Sequence, residues 1–326
     1  MRIIGIGNAL LDVLLRLESD STLSEMGVKK GAMDLINESM MKEIQKTQAG
    51  LQRTDAPGGS VCNTMRAMAR LGSDVGYIGK IGDDYEGEFY EEETKRSGVT
   101  PFFIHTKGIS GCSTVLISPD GERTMATFLG PAATLSDEEI SDEVLKQYDC
   151  IYIEGYLIVN EHLFLPLLKR AKRLGLKVAL DLSNFNIVNG FKVLLKEVIP
   201  EYVDILFSNE SEAEAYTGLP ASEAINVISE EVEISVVTIG KDGVLVKSSD
   251  LSVHEKASGS AVIDTTGAGD NFAAGFLFGY SRGATLQQSA KIGSILAGSV
   301  IETIGAQISE EYWDKIKLKV DELLRK

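Results

Sequence analysis

The residues best suited to chemistry lie late in the chain, where Asp264-Thr-Thr-Gly-Ala-Gly-Asp270 runs into a predicted helix over 267–282. Gly267, Ala268 and Gly269 are small, so a ligand can approach the backbone N–H groups at the start of that helix. Those N–H groups and the positive end of the helix dipole form a pocket for an anion. A carboxylate there, Asp270, either caps the helix or acts as a general base beside a transferring phosphoryl group.

Two common nucleotide-binding patterns are incomplete in this sequence. Neither Gly79-Lys80 nor Gly240-Lys241 is followed by the Ser or Thr of a GxxxxGK[ST] loop. The run 5–10 follows a predicted strand as a dinucleotide fingerprint does, but Leu10 occupies the position of the third glycine. The sequence therefore argues against a P-loop NTPase and against a dinucleotide-dependent oxidoreductase.

Polar residues and glycines near the N-terminus form a second candidate site. Asp12 interrupts an apolar run, which is costly unless the carboxylate leaves the core or pairs with hydroxyl groups. Gly58-Gly59 would let a sugar lie against the backbone, or would form a plain turn before a helix. Asn63 is either a ligand for a hydroxyl group or an exposed helix residue.

Several motifs, taken together and in order, resemble those of the ribokinase-like (PfkB) carbohydrate kinases, a family that includes adenosine kinases. They are Gly58-Gly59 with Asn63, Asn209-Glu-Ser-Glu212 (NxxE in the family), Thr238-Ile-Gly240 (TxG) and the 264–270 segment. The match spans nearly the whole chain, and its strength is the joint spacing. The resemblance implies a three-layer α/β/α core with a mostly parallel sheet, plus a small β-sheet lid.

The resemblance also implies a role for each motif. Asp270 would deprotonate a hydroxyl of the acceptor, which then attacks the γ-phosphorus of ATP, while the N–H groups of Gly267, Ala268 and Gly269 hold the developing charge. The nucleotide would contact Asn209, Thr238, Gly240 and Thr265, and the acceptor Asn8, Asp12, Gly58, Gly59 and Asn63.

Two cation sites follow from the same resemblance. Glu212 would help hold Mg²⁺ through water, although a Glu-rich surface helix is the alternative. In some family members a loop resembling 305–309 closes a monovalent-cation site, so Gly305 and Ser309 would bind K⁺ with Asp264 and the carbonyl group of Thr266. An ordinary loop after a helix is the alternative there. Arg123 either contacts phosphate or is a strand residue without a functional role, and no role is assigned to it.

Departures from the family pattern reduce the range of acceptors that we expect. The segment Asp181-Leu-Ser-Asn184 lacks the proline and following arginine of many sugar kinases, which argues against a phosphorylated sugar. The segments 8–12 and 209–213 are more similar to those of adenosine kinases than to those of the family's sugar kinases. We therefore expect phosphoryl transfer to the primary hydroxyl of a ribonucleoside such as adenosine, or of an unphosphorylated sugar such as ribose or fructose. A non-catalytic ribokinase-fold protein that binds a metabolite or a partner is the alternative.

The elements that position these residues follow from the hydrophobic pattern. Alternating strands and helices from Ser136 onward, including helices at 136–146 and 187–199, predict a mostly parallel sheet covered by helices. Extended runs at 10–17, at 31–36 and within 99–128 predict a smaller, separate sheet. The sequence thus predicts a core of 1–9, 37–98 and 129–326 and a lid of 10–36 and 99–128.

Composition limits the partners and the compartment. The 326 residues include 32 Lys and Arg against 48 Asp and Glu, a formal net charge of −16, which disfavours nucleic acid. Three cysteines without a CxxC motif predict reduced thiols in a cytoplasmic protein. No segment approaches the ~20 apolar residues of a membrane span, so we expect no membrane partner. Exposed edges of the lid sheet allow a lid-mediated homodimer, and a monomer fits equally.

Overall fold

A computed structural model describes residues 1–31, 33–47, 51–259 and 261–325. Residue 32, inside the predicted strand 31–36, lies outside those ranges. The strands are β1 (Ile3–Ile6), β2 (Leu10–Arg16), β3 (Met33–Leu35), β4 (Gln52–Gly58), β5 (Val75–Gly82), β6 (Thr100–Thr106), β7 (Cys112–Ile117), β8 (Arg123–Phe128), β9 (Cys150–Glu154), β10 (Lys177–Asp181), β11 (Ile205–Asn209), β12 (Ile234–Thr238), β13 (Val244–Lys247) and β14 (Ser252–Glu255). The α-helices are α1 (Ser21–Glu25), α2 (Glu38–Thr47), α3 (Ser60–Arg70), α4 (Tyr85–Arg96), α5 (Asp142–Leu145), α6 (Phe164–Arg173), α7 (Phe185–Gly190), α8 (Lys192–Tyr202), α9 (Glu210–Thr217), α10 (Ala221–Glu231), α11 (Ala268–Ser281), α12 (Leu286–Val300) and α13 (Glu310–Leu324).

Nine strands of the described chain form one large sheet in the order β14-β13-β12-β11-β10-β9-β1-β5-β6. Neighbours from β12 to β6 are parallel, and β13 and β14 add an antiparallel edge. Every residue of β1, β5 and β9 is buried, as expected for parallel strands with helices on both faces. Ile3 and Ile4 belong to two different apolar clusters, one on each face of the sheet. The predicted three-layer core is confirmed.

A second sheet of five described strands has the order β3-β8-β7-β2-β4. Along β2, buried Leu11, Val13 and Leu15 alternate with half-buried residues. The buried face shares an apolar cluster with Met41 and Ile44 of α2, while Asp12 on the opposite face lines a cleft. The small sheet predicted beside the core is therefore present, with one face covered by the chain's own helices.

The structure divides the chain differently from the predicted boundaries at two strands. β6, predicted as part of the lid, pairs with β5 in the large sheet, because β5, α4 and β6 form a parallel crossover unit. β4, predicted inside the core, pairs antiparallel with β2 in the small sheet. Its polar sequence QRTDAPG has no apolar alternation, which suits an edge strand that contains proline.

Smaller differences concern helices. The predicted helix 136–146 is a short 3-10 turn followed by α5, although Ser136 and Glu139 do form the expected capping box. The predicted helix 187–199 is two helices, α7 and α8, and α13 was not predicted. The three cysteines are free and buried. Within the described residues, no helix combines the length and the apolar character needed to cross a bilayer.

Candidate active site

The start of α11 has the tight geometry that its sequence predicts. Gly267 precedes the helix with φ 73°, a left-handed conformation that favours glycine. A Cβ atom at Gly267 would lie 2.7 Å from Cα of Ala306, so this turn packs directly against the loop 301–309. A Cβ atom at Gly269 would meet no atom within 4 Å, because Gly269 faces the cleft. The N–H of Ala268 already donates to the carbonyl oxygen of Thr265 at 3.2 Å, so Gly267 and Gly269 are the better placed donors.

Asp270 lies where α11 meets α3. The hydroxyl of Ser60 donates to its Oδ1 at 2.7 Å, and Asn63 Nδ2 donates to its Oδ2 at 2.9 Å. Burial raises the pKa of Asp270 above the ordinary aspartate value, and the bonds from Asn63 and Ser60 oppose that shift. The result is a carboxylate at the cleft that is a stronger base than a solvated aspartate. Ser60 directly follows Gly59, so the double-glycine turn and Asp270 are neighbours as expected.

Asp12 and the double-glycine turn meet across the small sheet. Leu10 of β2 is paired with Gly58 of β4, and a Cβ atom at Gly58 would lie 2.2 Å from the Asp12 carboxyl group. Gly59 follows with φ 87°. Burial, and then the charge of Asp270, raise the pKa of Asp12 to about 7. Glycine at 58 is therefore required to seat this carboxyl group beside the cleft.

Glu154 is a site residue that the sequence analysis missed. It ends β9, is 1 % exposed, and lines the same cleft. The backbone N–H of Asn8 donates to its Oε1 at 2.9 Å and the Asn8 side chain donates to the same oxygen at 2.6 Å. Burial raises the pKa of Glu154 to about 7, against those bonds. An acidic residue that closes the apolar run CIYI was the available signal, because ligands bind at the carboxyl ends of parallel strands. Asn8 thus positions Glu154 and lines the cleft.

Asn209 and Glu212 form a capping box at the start of α9. The backbone N–H of Asn209 donates to Glu212 Oε2 at 2.8 Å, and Asn209 Nδ2 donates to Oε1 at 2.7 Å. Both residues also line the cleft, so the capping and ligand interpretations are compatible. Thr238 is the parallel neighbour of Asn209 at the end of β12 and lines the cleft too. Gly240 follows with φ 53°, while Thr265 is exposed beside α11.

Asp181 at the end of β10 faces the same region. Burial, and then the charge of Glu212, raise the pKa of Asp181 well above its ordinary value. The N–H of Ser183 donates to Asp181 at 2.7 Å, and Ser183 is the one non-glycine residue with positive φ among the described residues, at 64°. A bound cation would stabilise two neighbouring acidic groups such as Asp181 and Glu212.

Mg²⁺ bound through water fits that observation. No group of three or more Asp, Glu, His or Cys residues within the described chain is close enough to ligate a metal directly. Asp181 and Glu212 are the residues that could hold the water ligands of Mg²⁺, which gives up its hydration shell reluctantly.

Asp264, Thr266 and Gly305, three residues of the predicted monovalent-cation site, meet beside α11. Asp264 accepts hydrogen bonds from the N–H of Thr266 at 3.1 Å and from the N–H of Gly305 at 2.6 Å. Arg123 of β8 also reaches Asp264, with 2.6 Å between Nη2 and Oδ2. Ser309 lies at the start of α13, and no hydrogen bond between it and Asp264 is described.

Many of these groups line one cavity of about 430 Å³, but Gly58, Asn63, Gly240, Asp264, Thr265, Gly267, Ala268, Gly305 and Ser309 are not among its described lining residues. The lining carries five carboxyl groups, from Asp12, Glu154, Asp181, Glu212 and Asp270. No lysine or arginine is among the described residues that line it. The apolar part of the lining includes Leu10, Met125, Leu129, Leu157 and Ile187. The cavity suits a ligand that has both hydroxyl groups and an apolar surface.

Comparison with known proteins agrees with this arrangement. Residues 32–313 match the model of the pfkB family carbohydrate kinases. An uncharacterized sugar kinase of Archaeoglobus fulgidus is 31% identical over 242 residues, 74% of this chain and 96% of the relative. An adenosine kinase of Schizophyllum commune is 28% identical and covers 96% of this chain and 97% of the relative. The crystal structure of adenosine kinase from Sinorhizobium meliloti superposes with a TM-score of 0.86 at 32% identity, covering 97% of this chain and 98% of that one. Since the family match spans most of its length, the chain belongs to the PfkB family of carbohydrate kinases.

Proposed function

We propose that this protein transfers the γ-phosphoryl group of ATP to the primary hydroxyl of a ribonucleoside, with Asp270 as the general base. The observation that carries the proposal is the position of Asp270. It lies at the anion pocket of α11 and is held by Ser60 and Asn63 on the adjacent helix. A carboxylate with a raised pKa beside free amides can take a proton at the place where negative charge develops.

The proposed step is an in-line displacement. The O–H bond of the acceptor breaks and its proton passes to Asp270, while the acceptor oxygen forms a bond to the γ-phosphorus. The bond between that phosphorus and the bridging oxygen breaks, and ADP leaves. The N–H groups of Gly267 and Gly269 face the charge that accumulates on the transferring group, the usual source of catalysis in phosphoryl transfer.

The nucleotide would lie along the ends of β11 and β12. Asn209, Thr238, Gly240 and Thr265 are the contacts we propose for ATP, because the first two line the cleft beside Glu212. When bound, Mg²⁺ would neutralise phosphate charge and orient the transferring group. Glu212 and Asp181 would hold its water ligands, which also relieves the repulsion between these carboxyl groups.

The acceptor end favours a nucleoside over a free sugar. Asp12, Gly59 and Asn63 lie close to Asp270, where ribose hydroxyl groups would bind. The apolar side chains of Leu10, Met125 and Leu157 in the cavity lining would have no counterpart in a free pentose, but they would suit the face of a nucleobase. The absence of basic residues from the described cavity lining disfavours an acceptor that already carries phosphate.

Turnover of ATP by the wild type and by Asp270→Asn tests this proposal. ADP production is measured with adenosine, other nucleosides, ribose and fructose. The substitution keeps the size of the side chain and removes the base, so a drop of about 10³-fold in kcat is expected. Asp314→Asn on the exposed surface of α13 is the matched control and should behave as the wild type.

Three outcomes would count against the proposal. Equal turnover by wild type and Asp270→Asn would remove Asp270 as the base. Faster turnover of ribose or fructose than of every nucleoside would replace the acceptor class. Binding of an acceptor in calorimetry without ADP production on any acceptor would favour a non-catalytic binding protein.

A further inference from the structure

An ion pair joins the small sheet to the segment that leads into α11. Arg123 begins β8, and its Nη2 atom lies 2.6 Å from Oδ2 of Asp264. Arg123 Nη1 also donates to the hydroxyl oxygen of Thr266 at 2.8 Å. Both members of the ion pair are largely buried, with side-chain exposures of 18% and 11%. A partly buried, two-point contact of this kind is stronger than an exposed ion pair.

The same contact changes what Asp264 can bind. Its Oδ1 accepts from the N–H and the hydroxyl of Thr266, at 3.1 and 2.7 Å. Its Oδ2 accepts from the N–H of Gly305 and faces the Arg123 guanidinium, each at 2.6 Å. Four donors thus surround the one carboxylate that the predicted K⁺ site would need. The arrangement does not fit a monovalent cation at Asp264, because the positive charge there is already present on Arg123.

Asp264 also organises the backbone of the anion pocket. Through Thr266 and Gly305 it joins the turn before Gly267 to the loop against which that glycine packs. The hydrogen bonds to Asp264 thus help to fix the position of the Gly267 N–H. Because Arg123 of the small sheet pairs with the same carboxyl group, that sheet is linked to the turn before α11.

We propose that Arg123 takes the place of a monovalent cation at Asp264 and couples docking of the small sheet to the assembly of the anion pocket. Arg123 is then a positioning residue, and activity does not require K⁺. This inference rests on the proposed kinase function only in one respect, because the kinetic test needs the protein to turn over an acceptor.

The first test measures kcat of the wild type and of Arg123→Ala at constant ionic strength. Tetramethylammonium chloride is the background salt, and low millimolar KCl or guanidinium chloride replaces part of it. The kcat of the wild type should change less than twofold with KCl. Arg123→Ala should have a kcat about 30- to 100-fold lower than the wild type, and guanidinium or K⁺ should raise that kcat at least fivefold. Arg16→Ala, an exposed arginine on β2, is the matched control and should equal the wild type.

Hydrogen exchange supplies a second readout that needs no turnover. In Arg123→Ala, the amides of residues 123–128 and 264–269 should exchange at least tenfold faster than in the wild type, and guanidinium should slow them again. Wild-type activation of more than fivefold by K⁺, or exchange unchanged by the substitution, would overturn the inference. If no acceptor is turned over by the wild type, the proposed function fails while the exchange result still decides the role of Arg123.

Discussion

The two sides of the cleft are built in different ways. The core side carries Asp270 on α11 with partners on α3, and both helices belong to a large apolar cluster. The opposite side is a five-stranded sheet that contributes Asp12 and Arg123. Its buried residues share the apolar cluster of the core helices, and the ion pair from Arg123 to Asp264 adds a polar contact. Under the proposed function, the groups that perform chemistry lie on helices α3 and α11. The groups proposed to contact the acceptor and to complete the anion pocket lie on the small sheet.

Among the substitutions that test this comparison, Gly267→Ala on the core side should cause the largest decrease in kcat. The new methyl group would meet Ala306 at 2.7 Å and would require a left-handed alanine. Displacement of the anion pocket should lower kcat about 10²- to 10³-fold with little change in KM for the acceptor. Steady-state kinetics with varied acceptor measure both constants.

The control for that prediction is Gly283→Ala at the other end of α11. Gly283 has φ 77° but no atom within 4 Å of its added methyl group. It should lose about 1 kcal/mol of stability through backbone strain and keep its kcat. If both variants lose kcat equally, general weakening of α11 explains the result and the anion pocket does not.

Asp12→Asn is the corresponding change on the small sheet. A charge-assisted hydrogen bond to an acceptor hydroxyl would be weakened, so KM for the acceptor should rise about 10- to 100-fold. A decrease confined to kcat would instead place Asp12 among the groups that take part in chemistry. That result would contradict the assignment of chemistry to the core side and acceptor binding to the small sheet. Asp34→Asn, exposed on β3, is the control.

The same substitution should stabilise the protein at alkaline pH. The pKa of Asp12 is raised from 3.8 to about 7, so the folded wild type binds more protons than the unfolded chain between those values. The wild type therefore loses stability as pH rises from about 4 to 7, and the asparagine variant lacks this loss. Urea unfolding should give a variant that is about 1–3 kcal/mol more stable at pH 8 and nearly equal to wild type at pH 4. A constant difference across this range would exclude the buried charge as its cause.

Tyr90→Phe should have the smallest effect, because it acts on the junction between the two sides. The buried Tyr90 hydroxyl donates to the carbonyl oxygen of Gly58 at 2.8 Å, where β4 enters α3. Its loss should cost about 1–2 kcal/mol of stability and raise KM two- to fivefold, about as much as one lost hydrogen bond. Tyr216→Phe removes a buried hydroxyl bonded to Glu231, outside the cavity lining, and should lower stability without changing KM.

Sequence reasoning succeeded where the determining pattern is local. Buried runs such as β1 and β9 predict a parallel sheet, and the small residues at 267–269 predict the tight turn at the start of α11. It failed for Glu154, β4 and β6, whose placement depends on partners distant in the chain. The contact between Arg123 and Asp264 spans 141 positions and joins the small sheet to the segment before α11, so no pattern near either residue predicts it.

The acidic wall of the cavity has a consequence for the end of the catalytic cycle. Under the proposed function, an uncharged acceptor enters without electrostatic penalty and leaves as a phosphate monoester with up to two negative charges. Asp181 and Glu212 then face an anion, with no basic side chain among the described residues of the lining. Repulsion of the newly charged product favours its release once the cation and ADP depart, so the charge created by the reaction helps to empty the site.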